Sequence, residues 1–165
     1  MDFALKPPTR HAPAERSSID RIREDHALVL GAEVAGPLLD AIPDPLAVVT
    51  ETRQFVLANR AFLEFAGASR LDDILGLRMG EVLGCPHAQE DLSGCGTHPT
   101  CKTCGAVNAV MHALGGRSAV ADVELTVESQ GRECSLCFVI NATPLTVRGR
   151  QFVLIGISHP DAPLP

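Results

Sequence analysis

Residues 120–158, VADVELTVESQGRECSLCFVINATPLTVRGRQFVLIGIS, contain three apolar runs separated by two glycine-containing turns. The first run, Val120 to Glu128, alternates apolar and polar residues, and the second, Cys134 to Ala142, does the same. The third, Gln151 to Ser158, is apolar on both faces. Alternation with a period of two is typical of strands, and such turns favour hairpins. The stretch therefore predicts three consecutive antiparallel strands.

Shorter elements precede these strands. Leu46–Val49 and Phe55–Ala58 are apolar runs on either side of a polar turn, which predicts two more strands. Capping residues, helical spacing and terminal glycines predict short helices starting near Arg60 and Leu71, and a longer one over 106–114. This order predicts an α+β fold, with a five-stranded antiparallel sheet and short helices on one face.

The first 36 residues divide into a tail and a helix. Residues 1–17 are polar and proline-rich, which predicts a flexible tail. Residues 18–36 predict an amphipathic helix, from about Ile19 to Val34, followed by a short helix over 37–42. Its apolar stripe fits packing on its own domain or contact with a partner.

Composition excludes several classes of function. The formal charge of −6 comes without a basic run, which argues against nucleic acid as a partner. No apolar stretch approaches the length that spans a membrane, and the N-terminus lacks the apolar core of a secretory signal. These features predict a cytoplasmic protein. The sequence contains no nucleophile elbow, phosphate loop or kinase motif, so we do not expect an enzyme.

The segment 84–105, GCPHAQEDLSGCGTHPTCKTCG, holds four cysteines: Cys85, Cys95, Cys101 and Cys104. Clustered thiols in a reducing compartment more often bind metal or carry out redox chemistry than form structural disulfides. One Cys-x-x-Cys pair with two single cysteines in glycine-rich sequence is nearer to iron–sulfur ligation than to the paired knuckles of structural zinc sites. A zinc site and free or redox-active thiols remain alternatives.

Other candidate ligands are weaker. His87 and His98 could replace a thiolate, but solvated loop histidines are the simpler interpretation. Cys134 and Cys137 also form a Cys-x-x-Cys, yet residues three apart on a strand point to opposite faces. We expect Cys134 to face the core, with a chance of lining a cofactor pocket, and Cys137 to be structural.

Two stretches resemble the beginning and end of PAS domains, the sensory modules of bacterial signalling proteins. They are LLDAIPDPLAVVTETRQFVLANRAFLEFAG from Leu38, and CSLCFVINATPLTVRGRQFVLIGISH, which ends at His159. The resemblance implies one PAS-like domain over 37–159, followed by a short tail, 160–165. The pattern Cys-x-His-Ala, Gly-Cys-Gly, Cys-x-x-Cys-Gly is similar to that of a cysteine-rich subset of these sensors.

The resemblance also implies a function. PAS domains hold heme, flavin or metabolites where this chain has residues 84–105, so the expected cofactor is an iron–sulfur cluster, with zinc as the alternative. The expected role is a stand-alone sensor that reports oxygen, nitric oxide or redox state to a partner protein. The alternatives are an interaction module with structural zinc and a metabolite pocket with redox-active thiols.

The expected partner is a second copy of the chain or a signalling kinase. In PAS domains the N-terminal helix often packs on the outer sheet face and mediates dimers. By that resemblance Ile22, Val29 and Leu30 would form the contact. They would cover the outer face of the last strand, where we expect its apolar residues Val153, Ile155 and Ile157.

Overall fold

A computed structural model describes residues 11–31 and 35–158 of the chain, apart from the side chains of Ala35 and Ser129. The helices in this part are α1 (Ile19–Leu30), α2 (Ala35–Asp40), α3 (Arg60–Phe65), α4 (Met79–Val82), α5 (Pro86–Glu90) and α6 (Gly105–Leu114), with 3-10 turns at Leu71–Asp73 and Pro99–Thr103. The strands are β1 (Leu46–Thr50), β2 (Phe55–Ala58), β3 (Ala119–Ser129), β4 (Arg132–Val147) and β5 (Arg150–Ser158).

The five strands form one antiparallel sheet in the order β2-β1-β5-β4-β3, which confirms the predicted α+β fold. Both predicted hairpin turns are present. Gln130 and Gly131 have φ of 51° and 73°, and Arg148 and Gly149 have φ of 49° and 79°. Two consecutive left-handed residues fit the type I′ turn, whose twist matches that of paired strands.

The inner face of the sheet packs against the short helices. A row of phenylalanine rings runs through this core, with centroids 5.1 Å apart for Phe55 and Phe62, 6.0 Å for Phe62 and Phe65, and 5.4 Å for Phe65 and Phe138. The β5 residues that were expected on the outer face, Val153, Ile155 and Ile157, lie in this core instead. The prediction therefore assigned the wrong face of β5 to the core, because both faces are apolar and the sequence does not distinguish them.

The outer face of the sheet is covered by α1 of the same chain. Ile22 has no exposed surface and packs with Val48, Val56 and Phe152. His26 fixes the helix further through a 2.7 Å hydrogen bond between its Nδ1 and the carbonyl oxygen of Val56. The expectation that Ile22 is available to a partner is thus contradicted, because α1 uses this residue within its own domain.

The first helix is shorter than predicted. It ends at Leu30, because Gly31 adopts φ of 33° and its N–H closes the last turn on the carbonyl of Ala27. Gly36, expected to end the first helix, instead lies inside α2, and Pro37, expected to begin the second helix, lies in the first turn of α2. Pro37 is tolerated there because first-turn N–H groups have no partner within a helix. Val34 lies outside the described residues.

Residues 11–17 lie against the cysteine-rich segment. Ala12 is fully buried, and its N–H donates to the carbonyl of Gly96 at 3.0 Å. His11 Nε2 lies 2.9 Å from Asn108 Oδ1. These contacts differ from the flexible tail that the composition predicts. Residues 1–10, and the predicted tail 160–165 with His159, lie outside the described residues.

Candidate metal centre in the cysteine-rich segment

Segment 84–105 is folded into short helical turns rather than open loop. Pro86 is the first residue of α5, and Pro99 is the first residue of a 3-10 turn that contains Cys101. Cys104 then precedes α6 directly. Proline favours the first helical position, since its missing N–H would have no partner there. The two prolines were therefore the signal that could have predicted these turns.

The four predicted site cysteines line one cavity of about 980 Å³ beside β3 and β4. Cys101 is buried, whereas Cys85, Cys95 and Cys104 are partly exposed. The structure thus brings together residues that span twenty positions of sequence. Cys137 also borders this cavity, although it is exposed. Cys134 is partly buried and packs against the core.

Backbone N–H groups point at two of the sulfurs. Gly80 donates to Cys95 Sγ at 3.3 Å, and the N–H groups of Gly96 and His98 donate to Cys101. A side chain at position 80 would block the first contact, since its Cβ would lie 2.9 Å from Cys95 Sγ. Hydrogen bonds to sulfur stabilise thiolates and tune the metal centres that they hold.

Burial raises the pKa of two of these thiols. It raises the pKa of Cys95 to about 12, although the N–H of Gly80 opposes the shift. Burial also raises the pKa of Cys101, against the hydrogen bonds from Gly96 and His98. A metal ion would have to displace the thiol protons on binding, so loading of the site releases protons.

Two buried arginines surround the backbone of Cys95. Arg78 has no exposed surface and donates to five carbonyl groups, those of Ala14, Glu15, Thr52, Ser93 and Cys95. Arg53 donates from Nη2 to the carbonyls of Pro13 and Cys95. Within the part of the chain that the structure describes, its buried Nε has no hydrogen-bond partner.

These arginines indicate that the site suits an anionic group. Burial lowers the pKa of Arg78 to about 10 and also lowers the pKa of Arg53, while a negative charge on Cys95 would raise both. Buried cations require anionic or hydrogen-bonding partners to offset their lost hydration. A thiolate-ligated metal centre would supply that negative charge. Neither arginine was predicted from the sequence, because Arg53 lies in a polar turn and Arg78 is a single charged residue between Leu77 and Met79, and neither context indicates that a guanidinium group is buried.

His87, Glu90 and His98 lie together at the same segment. The two imidazole rings stack with centroids 4.7 Å apart and planes 12° apart. Each of the three side chains offers one possible metal-ligand atom, and these three atoms all lie within 4.8 Å of one another. The sequence suggested two separate solvated histidines, whereas in the structure both lie beside the same carboxylate, that of Glu90.

Comparison with known proteins identifies the fold. A family model of the PAS domain matches residues 37–98. The PAS domain of nitrogen regulation protein NR(II) from Vibrio parahaemolyticus has a TM-score of 0.55 and 16% identity, over 77% of this chain and 98% of that chain. No curated protein sequence matches.

Two further solved structures share the architecture. The PAS domain of a two-component sensor histidine kinase has a TM-score of 0.51 and 12% identity, over 81% of this chain and 98% of that chain. A fungal LOV domain photoreceptor has a TM-score of 0.51 and 17% identity, over 78% and 94%. In the described residues, no helix has the length and apolar character needed to cross a membrane. The matched segment and the shared fold together show that this chain contains a PAS domain.

Proposed function

We propose that this PAS domain is a sensory module in which Cys85, Cys95, Cys101 and Cys104 hold an iron–sulfur cluster. The observation that carries the proposal is the convergence of four thiols on one cavity, with backbone N–H groups donating to two of the sulfurs. The cluster would report oxygen, nitric oxide or redox state in a reducing cytoplasm. We propose binding and signalling rather than catalysis.

The sequence pattern of the thiols favours a cluster over a single zinc ion. One Cys-x-x-Cys pair with two single cysteines in glycine-rich sequence is nearer to iron–sulfur ligation than to the paired knuckles of structural zinc sites. The buried Arg53 and Arg78 would offset the negative charge of such a cluster.

The arginines also supply a route for the signal. Arg53 and Arg78 both hold the carbonyl of Cys95, and both hold carbonyls within residues 13–15. Segment 11–17 leads directly into α1. Oxidation or loss of the cluster would shift the backbone at Cys95, and the shared guanidinium groups would pass that shift to α1. A local event would thus bias two states of the domain.

The partner would contact the exposed side of α1. Ile22 is buried under this helix, but Ile19 is 48% exposed and lies on its accessible surface. We propose that a second copy of the chain or a signalling kinase binds this side.

Anaerobic purification tests the cofactor. The protein should be coloured, and analysis should find iron and acid-labile sulfide, with little zinc. A colourless chain with one zinc ion would contradict the cluster and support the structural-zinc alternative. A metal-free chain that binds small metabolites at the cavity would support the third interpretation, because a volume of about 980 Å³ is large enough for such ligands.

A further inference from the structure

His87, Glu90 and His98 form a second set of metal-binding side chains beside the thiols. His87 and Glu90 lie on α5 and line the cavity, while His98 precedes the 3-10 turn that carries Cys101. Their side chains are 44%, 56% and 25% exposed, respectively, so an ion could reach them from solvent. Neither the thiol centre nor the proposed signal route uses these three side chains.

The distances within this set match those between ligands of one ion. Glu90 Oε2 lies 3.2 Å from His87 Nδ1 and 3.4 Å from His98 Nε2. Nitrogen and oxygen ligands about 2.0–2.1 Å from a tetrahedral zinc ion lie roughly 3.3 Å apart. Charge-assisted hydrogen bonds between such groups are shorter, at about 2.7–2.9 Å. The spacing therefore fits shared coordination of one ion as well as the hydrogen bond that His87 Nδ1 and Glu90 Oε2 form without an ion.

The ring of His98 is held in place through its other nitrogen. Its Nδ1 lies 2.7 Å from Thr100 Oγ1 and accepts a hydrogen bond from the N–H of Thr100 at 3.3 Å. The ring proton then lies on Nε2, 3.4 Å from Glu90 Oε2, so a metal ion bound at Nε2 would move this proton to Nδ1, where it could be donated to the Thr100 hydroxyl. Because the ring of His87 stacks on that of His98 with planes 12° apart, one ring would have to turn for both nitrogens to face the same ion.

We propose that His87, Glu90 and His98 bind one divalent transition-metal ion, with zinc the best match, at a site separate from the thiols. Two imidazoles and one carboxylate suit zinc and leave a fourth position for water or a small anionic ligand. Because the ion would join α5 to the turn before Cys101, its binding would also hold together the segment that carries the thiols.

Zinc titration against a chromophoric indicator tests the site, using the full chain after anaerobic purification. Wild-type protein should bind one zinc ion at this site. The variants His98→Gln and Glu90→Gln should bind zinc there at least ten-fold more weakly. His112→Gln is the matched control, since this exposed histidine on α6 is not part of the group, and it should bind as wild type does. The iron and sulfide contents should not differ among the four proteins.

Cobalt(II) separates this site from the thiols. The spectrum of cobalt-loaded wild type minus that of cobalt-loaded His98→Gln should show ligand-field bands without thiolate-to-cobalt charge transfer. Equal zinc affinity in wild type and His98→Gln would overturn the proposal, as would thiolate bands in the difference spectrum. Iron loss from His98→Gln would instead make His98 a ligand of the thiol centre. Because each readout compares wild type with a variant, a chain purified without iron still tests the site.

Discussion

The guanidinium group of Arg78, which has no exposed surface, donates from Nη1 to the carbonyl oxygen of Cys95 at 3.3 Å. Its Nη2 donates to Ala14 and Glu15, so one side chain joins the candidate metal centre to segment 11–17. An arginine bound mainly to backbone carbonyls fixes the path of the chain on both sides, because one side chain supplies hydrogen-bond donors to both segments at once.

Replacing Arg78 by methionine should therefore destabilise the domain and release segment 11–17. Buried carbonyls left without donors cost about 1–3 kcal/mol each, so we expect a loss of at least ~3 kcal/mol in the free energy of unfolding. Urea denaturation measures the loss, and limited proteolysis should cut the variant within residues 11–17. Arg70→Met is the control, since the Arg70 side chain is 72% exposed. If segment 11–17 resisted proteolysis in Arg78→Met as well as it does in the wild type, the proposed connection would be contradicted.

Serine at Cys85, Cys95, Cys101 or Cys104 should lower the metal content and the stability together. Loss of one ligand weakens the centre, and the metal's binding free energy is also folding free energy. Metal analysis and thermal denaturation of the purified variants check both effects. Cys137→Ser provides the comparison, because Cys137 borders the same cavity but is exposed. Equal metal loss from Cys137→Ser and Cys95→Ser would show that the ligands are wrongly assigned.

Alanine at Gly80 should impair the centre without removing a ligand. The added Cβ would lie 2.9 Å from Cys95 Sγ and 3.2 Å from Cys85 Cβ, so α4 would have to move away from both cysteines. Overpacking of this kind typically costs about 1–3 kcal/mol. We expect reduced metal content and faster metal loss to a chelator. Gly36→Ala should retain the metal, because its Cβ would lie 3.8 Å from the nearest atom, a Leu30 methyl group.

Alanine at Ile22 should destabilise a single chain. Removal of a fully buried isoleucine costs about 2–5 kcal/mol, and Ile22 packs on the sheet of its own domain. Chemical denaturation should show this loss equally at low and high protein concentration. Ile19→Ala should change the stability by less than about 0.5 kcal/mol, since Ile19 is largely exposed. A loss below about 0.5 kcal/mol in Ile22→Ala would show that this residue does not pack on the sheet of its own domain.

The sequence predicted the fold better than it predicted the contacts. Alternation along β3 and β4 identified their buried faces, and the turns at Gln130-Gly131 and Arg148-Gly149 identified the hairpins. Both faces of β5 are apolar, so periodicity could not tell which one meets the helices. The resemblance to PAS domains placed the first helix on the outer face, and the structure shows that α1 covers this face within its own chain.

The sequence predicted the cysteines of the candidate site but not their surroundings, which also depend on tertiary contacts. Cysteine spacing identified four residues that the fold brings to one cavity. It gave no sign of Arg53 and Arg78, because their burial depends on carbonyls from segments distant in sequence. His87 and His98 looked like separate loop residues until α5 and the following turn placed them in contact. Spacing along the chain indicates which ligands are available, whereas long-range packing decides which charges surround them.

The row of phenylalanine rings gives the domain a simple optical property. The chain has no tryptophan and no tyrosine, so phenylalanine dominates the near-ultraviolet dichroism of the polypeptide. Phe138 lines the cavity and also meets Phe65 edge-on, at 81° between ring planes. Occupation of the cavity should therefore change the sharp vibronic bands of these rings. Broad absorption at longer wavelength can then be assigned to the bound group itself.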